Sequence, residues 1–436
     1  MRWRGCGLQV DLRRMGLVTL DRDRRDAALD AMRSLEAGAV ANPHESRRVG
    51  HYWLRSPGRS PEGPAIAAEW ETIRSLADDT DAFDHLVICG IGGSALGPQL
   101  LAGALPRFGL EPVFLDNTDP VGMADVLDDL ELSRALVLVV SKSGGTQETR
   151  NALAEVRARC SDLEERAIAV TCEGSALWEL AEDWRGRVRI WDWVGGRTSI
   201  TSAVGLLPMA LMGQDTKGFL RGAAAMDAHT REAEDNPALM LAEAWWQARP
   251  RAMVVLPYRD RLGLFGRYLQ QLVMESLGKE GLGLTVYGNK GSTDQHAYVQ
   301  QLRDGPDDAF VTFVHGHGRT LGVEVEPGVH TADYLLGFLV GTRNALTAAG
   351  RKSLTIVLDD LTAEHLGALI ALYERAVGFY ASFAGINAYH QPGVEAGKRG
   401  AAKALDLMAR LQVGEDVEHS DDVELLADHL RRTRRL

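Results

Sequence analysis

Through the middle of the chain, short unbroken apolar runs alternate with longer stretches in which apolar residues recur every three or four positions. "HLVICG" leads into "SALGPQLLAGAL", "ALVLVVS" into "TQETRNALAEVRARC" and "AIAVTC" into "SALWELAEDW", with "PVFLD" between the first two pairs. An unbroken apolar run reads as a strand covered on both faces, and the three-to-four recurrence as the helix that covers it. The alternation therefore predicts an α/β lobe with a mainly parallel sheet between two helical layers. A second series repeats the style without the letters: "AMVVLPY", the long helical pattern "RLGLFGRYLQQLVMES", "LTVYG", "AFVTFVHG", "ADYLLGFLVGTRNALTAAG" and "SLTIVLDD".

Five segments follow from this pattern. Residues 1–80 read as a helical N-terminal arm, with "DRRDAALDAMRSLEAGA" set off by the turn-rich "RSPGRSPEGP"; residues 81–217 form the first lobe, 218–249 connecting helices, 250–403 the second lobe and 404–436 a helical tail. A helical pattern from 362 to about 411 is broken by "INAYHQPGVEAGK". The tail places Ser420 as an N-cap, acids in the first turn and arginines in the last, which suits the helix dipole.

Composition narrows the partners. With 436 residues, 45% hydrophobic and 25% charged, the chain has material for a large core, and its net charge of -12 argues against nucleic acid or an anionic membrane as a partner. The four cysteines have no CxxC spacing and read as reduced thiols. The first residues lack a continuous apolar stretch, and no run approaches a membrane span. A cytoplasmic location, without export signal or membrane contact, is the expectation.

The chemistry starts where strand 135–140 ends. "SKSGGTQET" puts three hydroxyls (Ser141, Ser143, Thr146), the Lys142 ammonium and exposed N–H groups at a helix N-terminus, which is an anion site. "CGIGGSALG" does the same after the first strand, with Gly93 and Ser94 at the helix start. Gly90, Gly92 and Ala95 also fit a loose dinucleotide fingerprint, and Asp116 stands where a ribose-binding acid would. Two Ser/Thr-rich loops side by side, however, make a compact pocket for one phosphate rather than a long cleft.

In the second lobe, "QQLVMESLGKEG" places Gln271 and Glu275 four apart, on one face near a helix end at Gly278. A carboxylate there suits a general base, but a lone glutamate on a helix is ordinarily a surface residue, and only its neighbours change that reading. "GSTDQHAYVQQLRDG" offers His296, "QPGVEAGKRGAA" offers Lys398, and "GGRTSITSAVGLLP" offers Arg197 after two glycines. "VHGHG", with His315 and His317, tempts a metal reading, but no carboxylate or cysteine completes a cluster.

Taken together, "GIGGSALGP", "SKSGGTQET", "GGRTSITSAVGLLP", "QQLVMESLGKEG", "GSTDQHAYVQQLRDG" and "QPGVEAGKRGAA", in this order from about 88 to 403, closely resemble the glucose-6-phosphate isomerase family in its shorter bacterial form. The resemblance implies two sugar-isomerase (SIS) lobes and reversible isomerisation of glucose 6-phosphate and fructose 6-phosphate, with no cofactor and no metal. It implies that Ser141, Lys142, Ser143 and Thr146 cradle the phosphate, that Gly93 and Ser94 flank the sugar, and that Gln271 and Gln391 line it. Glu275 is then the base that moves a proton through a cis-enediol, and Arg197 steadies the enediolate. His296 and Lys398 open the sugar ring, with His296 supplied by the neighbouring subunit of a homodimer that shares its active sites. Leu277, where longer members usually have Asn, and the shorter N-terminal arm depart from the pattern. A dual phosphoglucose and phosphomannose isomerase, and a non-catalytic sugar-phosphate-binding protein, are the alternatives.

Overall fold

The computed structural model of the chain describes residues 1–16, 22–42, 46–248, 251–318 and 320–436, without the side chains of 394–396. They form two compact units, Met1–Tyr389 and His390–Leu436. The expected boundary at 403 thus moves forward, and "QPGVEAGKRGAA" falls in the second unit; the boundary at 249–250 lies outside the described residues.

The chain opens with an antiparallel hairpin, β1 (Arg2–Gly5) and β2 (Leu8–Asp11). This corrects the expectation of a wholly helical arm. Trp3, Leu8 and Val10 are buried on one face while the residues between them are not, the period of a half-buried strand. The rest of the arm is helical where expected, notably Arg22–Glu36 and Gly63–Asp78.

Five parallel strands then build the first sheet: β3 (His85–Cys89), β4 (Glu111–Leu115), β5 (Ala135–Val140), β6 (Ala167–Thr171) and β7 (Gly186–Arg189), in the order β4-β3-β5-β6-β7. Every residue of β5 and β6 is buried, as expected of strands covered on both faces. The second sheet has β8 (Ala252–Pro257), β9 (Thr285–Gly288), β10 (Ala309–Gly316) and β11 (Ser353–Leu358) in parallel, ordered β11-β10-β8-β9, and the N-terminal hairpin completes it, β2 pairing antiparallel with β11. In both sheets the second strand lies outside the first and the third on its other side. The order reverses between β3 and β5, and again between β8 and β10. Such switch points leave a crevice at the carboxyl ends of the strands, where ligands of open α/β sheets bind.

The helices Thr216–Thr230 and Ala363–Ala384 pack together, with His51–Arg55 against the first of them. A buried ionic network ties these three: Asp227 Oδ1 accepts from Arg55 Nη1 at 3.0 Å and from Arg375 Nε at 2.8 Å, and Arg55 also meets Glu374, all four side chains being fully buried. Burial works to raise the Asp227 carboxyl, but Arg375 and Arg55 hold it below its ordinary value. Removing one partner of such a buried pair costs about 3–5 kcal/mol, because the other charge is stranded. In the second unit Lys398 lies on the helix Val394–Gln412, and Ser420 caps Asp421–Arg432 by accepting from Val423 N at 3.3 Å, as the sequence predicts.

Candidate active site

Both hydroxyl-rich loops stand at the first sheet's switch point. Residues 90–92 follow β3 and open the helix Gly93–Ala104; residues 141–146 follow β5 and open Gln147–Arg157. Neither helix has a side-chain cap on its first-turn N–H groups, although Ser94 N and Ala95 N already donate to the carbonyls of Ile91 at 3.1 Å and Gly92 at 3.0 Å. The 141–146 loop closes on itself: Ser141 Oγ donates to Thr146 Oγ1 at 3.1 Å, and Gly145 N donates to Ser143 Oγ at 3.2 Å. Gly144 turns the loop with φ of +69°, and a Cβ there would lie 2.6 Å from Leu177 N, so only glycine fits. Lys142 is placed differently from the sequence reading of its charge. Its ammonium donates to the carbonyls of Asp192 at 2.6 Å and Val194 at 2.7 Å and so fastens the 191–194 loop.

That loop runs directly into Arg197. Gly93 packs so closely on it that a Cβ would sit 2.1 Å from Gly196 O, and Ser199 Oγ donates to the carbonyls of both Gly93, at 3.3 Å, and Gly196, at 2.7 Å. The first anion loop and the Arg197 loop are therefore one rigid body. Arg197 is 6% exposed. Its Nη2 donates to Ala388 O, and its Nη1 lies 3.3 Å from Glu275 Oε2. Burial pushes the guanidinium down from its ordinary value and the neighbouring Glu275 charge pulls it back up.

Glu275 comes from the second lobe, after β8, on a helix unlike the one the spacing predicts. The pattern breaks into a short 3-10 turn Asp260–Leu262, an α-helix Phe265–Leu269 and a π-helical segment Gln270–Glu275. Such a local widening often marks a functional site. The face argument survives: Gln271 Nε2 lies 3.3 Å from where a Gly92 Cβ would be, so both Gln271 and Glu275 turn toward the first-lobe loops. Glu275 is partly exposed, with 23% of its side chain accessible, and so remains open to a ligand.

Two features escaped the sequence reading. Lys279, four residues after Glu275, donates to Ser276 O and Asn387 O, both at 2.6 Å. Burial, aided by the Arg197 charge and opposed by that of Glu275, lowers its ammonium to about 8. The other is loop 387–389, whose Tyr389 hydroxyl meets that of the buried Tyr52 at 3.3 Å. Both lie within stretches quoted above, "QQLVMESLGKEG" and "INAYHQPGVEAGK", but spacing alone gives neither a role.

The remaining residues fall elsewhere. Ser94 lies in the first turn of Gly93–Ala104 and is half-buried. His296 is exposed, in the first turn of Gln295–Asp304. Gln391 and Lys398 belong to the second unit. Asp116 accepts from Gln99 Nε2 at 2.8 Å. The ring centroids of His315 and His317 are 5.1 Å apart, and among the described residues no group of three His, Cys, Asp or Glu is arranged to hold a metal. No helix among those residues is long and apolar enough to cross a membrane.

Comparison with known proteins bears on this geometry. The family described as "Phosphoglucose isomerase" matches residues 32–343 and 338–423. The chain is 52% identical over 426 residues to a glucose-6-phosphate isomerase of Geobacter sulfurreducens, covering 87% of this chain and 79% of that one. It is 48% identical over 471 residues to the chloroplastic glucose-6-phosphate isomerase 1 of Arabidopsis thaliana, covering 96% of this chain and 76% of that one. Its structure resembles a crystal structure of a glucose-6-phosphate isomerase from Chlamydia trachomatis with a TM-score of 0.87 and 25% identity, over 99% of this chain and 93% of that one.

Proposed function

The chain belongs to the phosphoglucose isomerase family and interconverts glucose 6-phosphate and fructose 6-phosphate, and we propose that Glu275 is the base that carries the proton between C2 and C1 while Arg197 steadies the charge that develops. The observation that carries this reading is the meeting of the two lobes: a second-lobe carboxylate 3.3 Å from a first-lobe guanidinium, beside the two anion loops. With the phosphate held by the N–H groups and hydroxyls of 141–146, the open-chain sugar extends past Gly93 and Ser94 toward Glu275. The carboxylate takes the C2 proton as electron density moves onto the C1 carbonyl oxygen, the hydroxyl proton of O2 passes to O1, and the proton returns from Glu275 to C1 as the C2 carbonyl forms. A fixed cation aimed at that oxygen stabilises the transition state more than the neutral ground state. Gln271 lines the sugar and His296 opens the ring by proton transfer at the ring oxygen; the roles of Gln391 and Lys398, which belong to the second unit, rest on the resemblance alone.

The test is Glu275→Gln, which keeps shape and hydrogen bonding but loses basicity. We expect kcat to fall by about 10²- to 10⁴-fold or more, with 6-phosphogluconate bound as before. A variant within threefold of the parent in kcat means that Glu275 is not the base.

The exposure of His296 supports a further part of the reading, that it serves the partner's site in a homodimer. Mixing inactive Glu275→Gln and inactive His296→Ala proteins under conditions of subunit exchange then yields mixed dimers with one intact site, and activity returns toward about a quarter of the parent value. Exchange without recovery places each site within one subunit.

A further inference from the structure

We propose that Lys279 is a positioning residue of the active site, which pins loop 387–389 to the end of the Glu275 segment and thereby fixes Arg197 against Glu275. The inference rests on the assignment of Glu275 and Arg197 above. Two consecutive carbonyls of one loop receive the two cations of the site. Asn387 O accepts from Lys279 Nζ at 2.6 Å, and Ala388 O accepts from Arg197 Nη2. The other end of the clamp is Ser276 O, the carbonyl next after the proposed base, also 2.6 Å from Lys279 Nζ. One ammonium thus joins the main chain on which Arg197 rests to the main chain that carries Glu275.

The loop itself is held from behind, so the clamp acts on a stiff support. Asn387 Nδ2 donates to Ala41 O at 2.6 Å, Asn387 Oδ1 accepts from Tyr389 N at 2.8 Å, and the Tyr389 hydroxyl meets Tyr52 at 3.3 Å. The Lys279 backbone is fixed as well, its N–H donating to the carbonyls of Leu277 at 2.9 Å and Leu282 at 3.2 Å. What remains to be set is the spacing between the two main chains, which the Lys279 side chain spans directly. Both of its acceptors are neutral carbonyls, and the half-buried ammonium sits beside a like charge on Arg197, which is why its affinity for the proton is reduced. An aliphatic side chain of the same length would avoid that penalty and would leave two carbonyls without a donor and the spacing unset.

Misplacing reacting groups by about 1 Å lowers turnover by roughly 10²-fold without removing any group that touches substrate. We therefore expect Lys279→Met to fold, to lose about ten- to a hundred-fold in kcat, and to keep KM for fructose 6-phosphate within threefold, since the anion loops are untouched. Lys279→Cys should behave alike, and its aminoethylation with 2-bromoethylamine, which rebuilds an ammonium of nearly the same reach, should restore most of kcat; parent protein treated in parallel controls for the native cysteines. In a Glu275→Gln background, Lys279→Met should cost little further kcat, because the clamp acts through the base. The proposal is overturned if kcat of Lys279→Met stays within twofold, if the loss falls on KM instead, or if aminoethylation restores the melting temperature without kcat. Full activity of Glu275→Gln alone would instead remove the reading on which the proposal rests.

Discussion

In the first lobe, the loops on either side of the switch point open directly into helix N-termini and present N–H groups and hydroxyls, with the one local ammonium, Lys142, turned away to hold a neighbouring loop. In the second lobe, the corresponding chain after β8 passes through a 3-10 turn and a widened helix before it delivers Glu275 near the helix's far end. The same strand order thus serves opposite electrostatic needs. A helix start favours an anionic ligand, whereas a carboxylate meant to accept a proton gains nothing from that end and is placed at the other. The difference also separates local from assembled features. The two hydroxyl-rich loops are made by their own residues, while the proposed base becomes part of a site through Arg197, which comes from the first lobe, and loop 387–389, which comes from far along the chain.

If the lobes divide the work in this way, damage to each should appear in a different kinetic constant. Arg197→Lys keeps a charge but loses the fork that reaches Glu275 and Ala388 O together. Its kcat should fall by about 10²- to 10³-fold, the range for losing one preorganised donor at developing charge, with a smaller change in KM. Steady-state kinetics with fructose 6-phosphate checks this. Ser143→Ala with Thr146→Ala should do the reverse: two hydrogen bonds to a charged group contribute about 1.5–3 kcal/mol each, so KM should rise by roughly a hundred-fold or more while kcat holds. Unchanged affinity for 6-phosphogluconate in that variant would place the phosphate elsewhere.

A smaller effect concerns stability. The second lobe carries a buried histidine at its switch point, His315 at the end of β10, which burial, with the His317 and Arg259 charges, lowers to about 4. The unfolded chain takes up a proton there near the ordinary histidine value of about 6.5, and the folded chain does not until pH 4. Stability from this group is therefore present above about pH 6.5 and is lost as pH falls toward 4. His315→Asn should flatten the decline in denaturation midpoint over that window relative to the parent, by no more than about 1.4 kcal/mol per pH unit. Parallel declines in the two proteins would show that His315 is accessible to protons in the folded state.

Much of the fold was legible because buried parallel strands announce themselves as unbroken apolar runs; the loops after β3 and β5 pointed to an anion through glycine and hydroxyl residues at a strand-to-helix turn, though the first fitted a dinucleotide fingerprint as well. The hairpin β1–β2 was not, since its alternation is only a few residues long and is set among arginines. Glu275 and Arg197 were proposed for the site through the resemblance of their motifs; periodicity alone left Glu275 indistinguishable from a surface residue and did not foretell the π-helical segment, which depends on tertiary packing. Lys142 shows the limit from the other side: its sequence context points to an anion, yet its side chain is drawn to two carbonyls fifty residues on. Lys279 left no trace in the pattern, because its role depends on a loop more than a hundred residues away.

The division of labour between the lobes is tested most directly by solvent deuterium incorporation at C2 of glucose 6-phosphate and C1 of fructose 6-phosphate, measured at saturating substrate in the Ser143→Ala, Thr146→Ala double variant and in Glu275→Gln. The account predicts that the first-lobe variant, once saturated, exchanges within a few-fold of the parent rate, and that Glu275→Gln binds the sugar phosphate but exchanges at least about 10²-fold more slowly. Rapid exchange in Glu275→Gln, or a first-lobe variant that binds fully and fails to exchange, would contradict it.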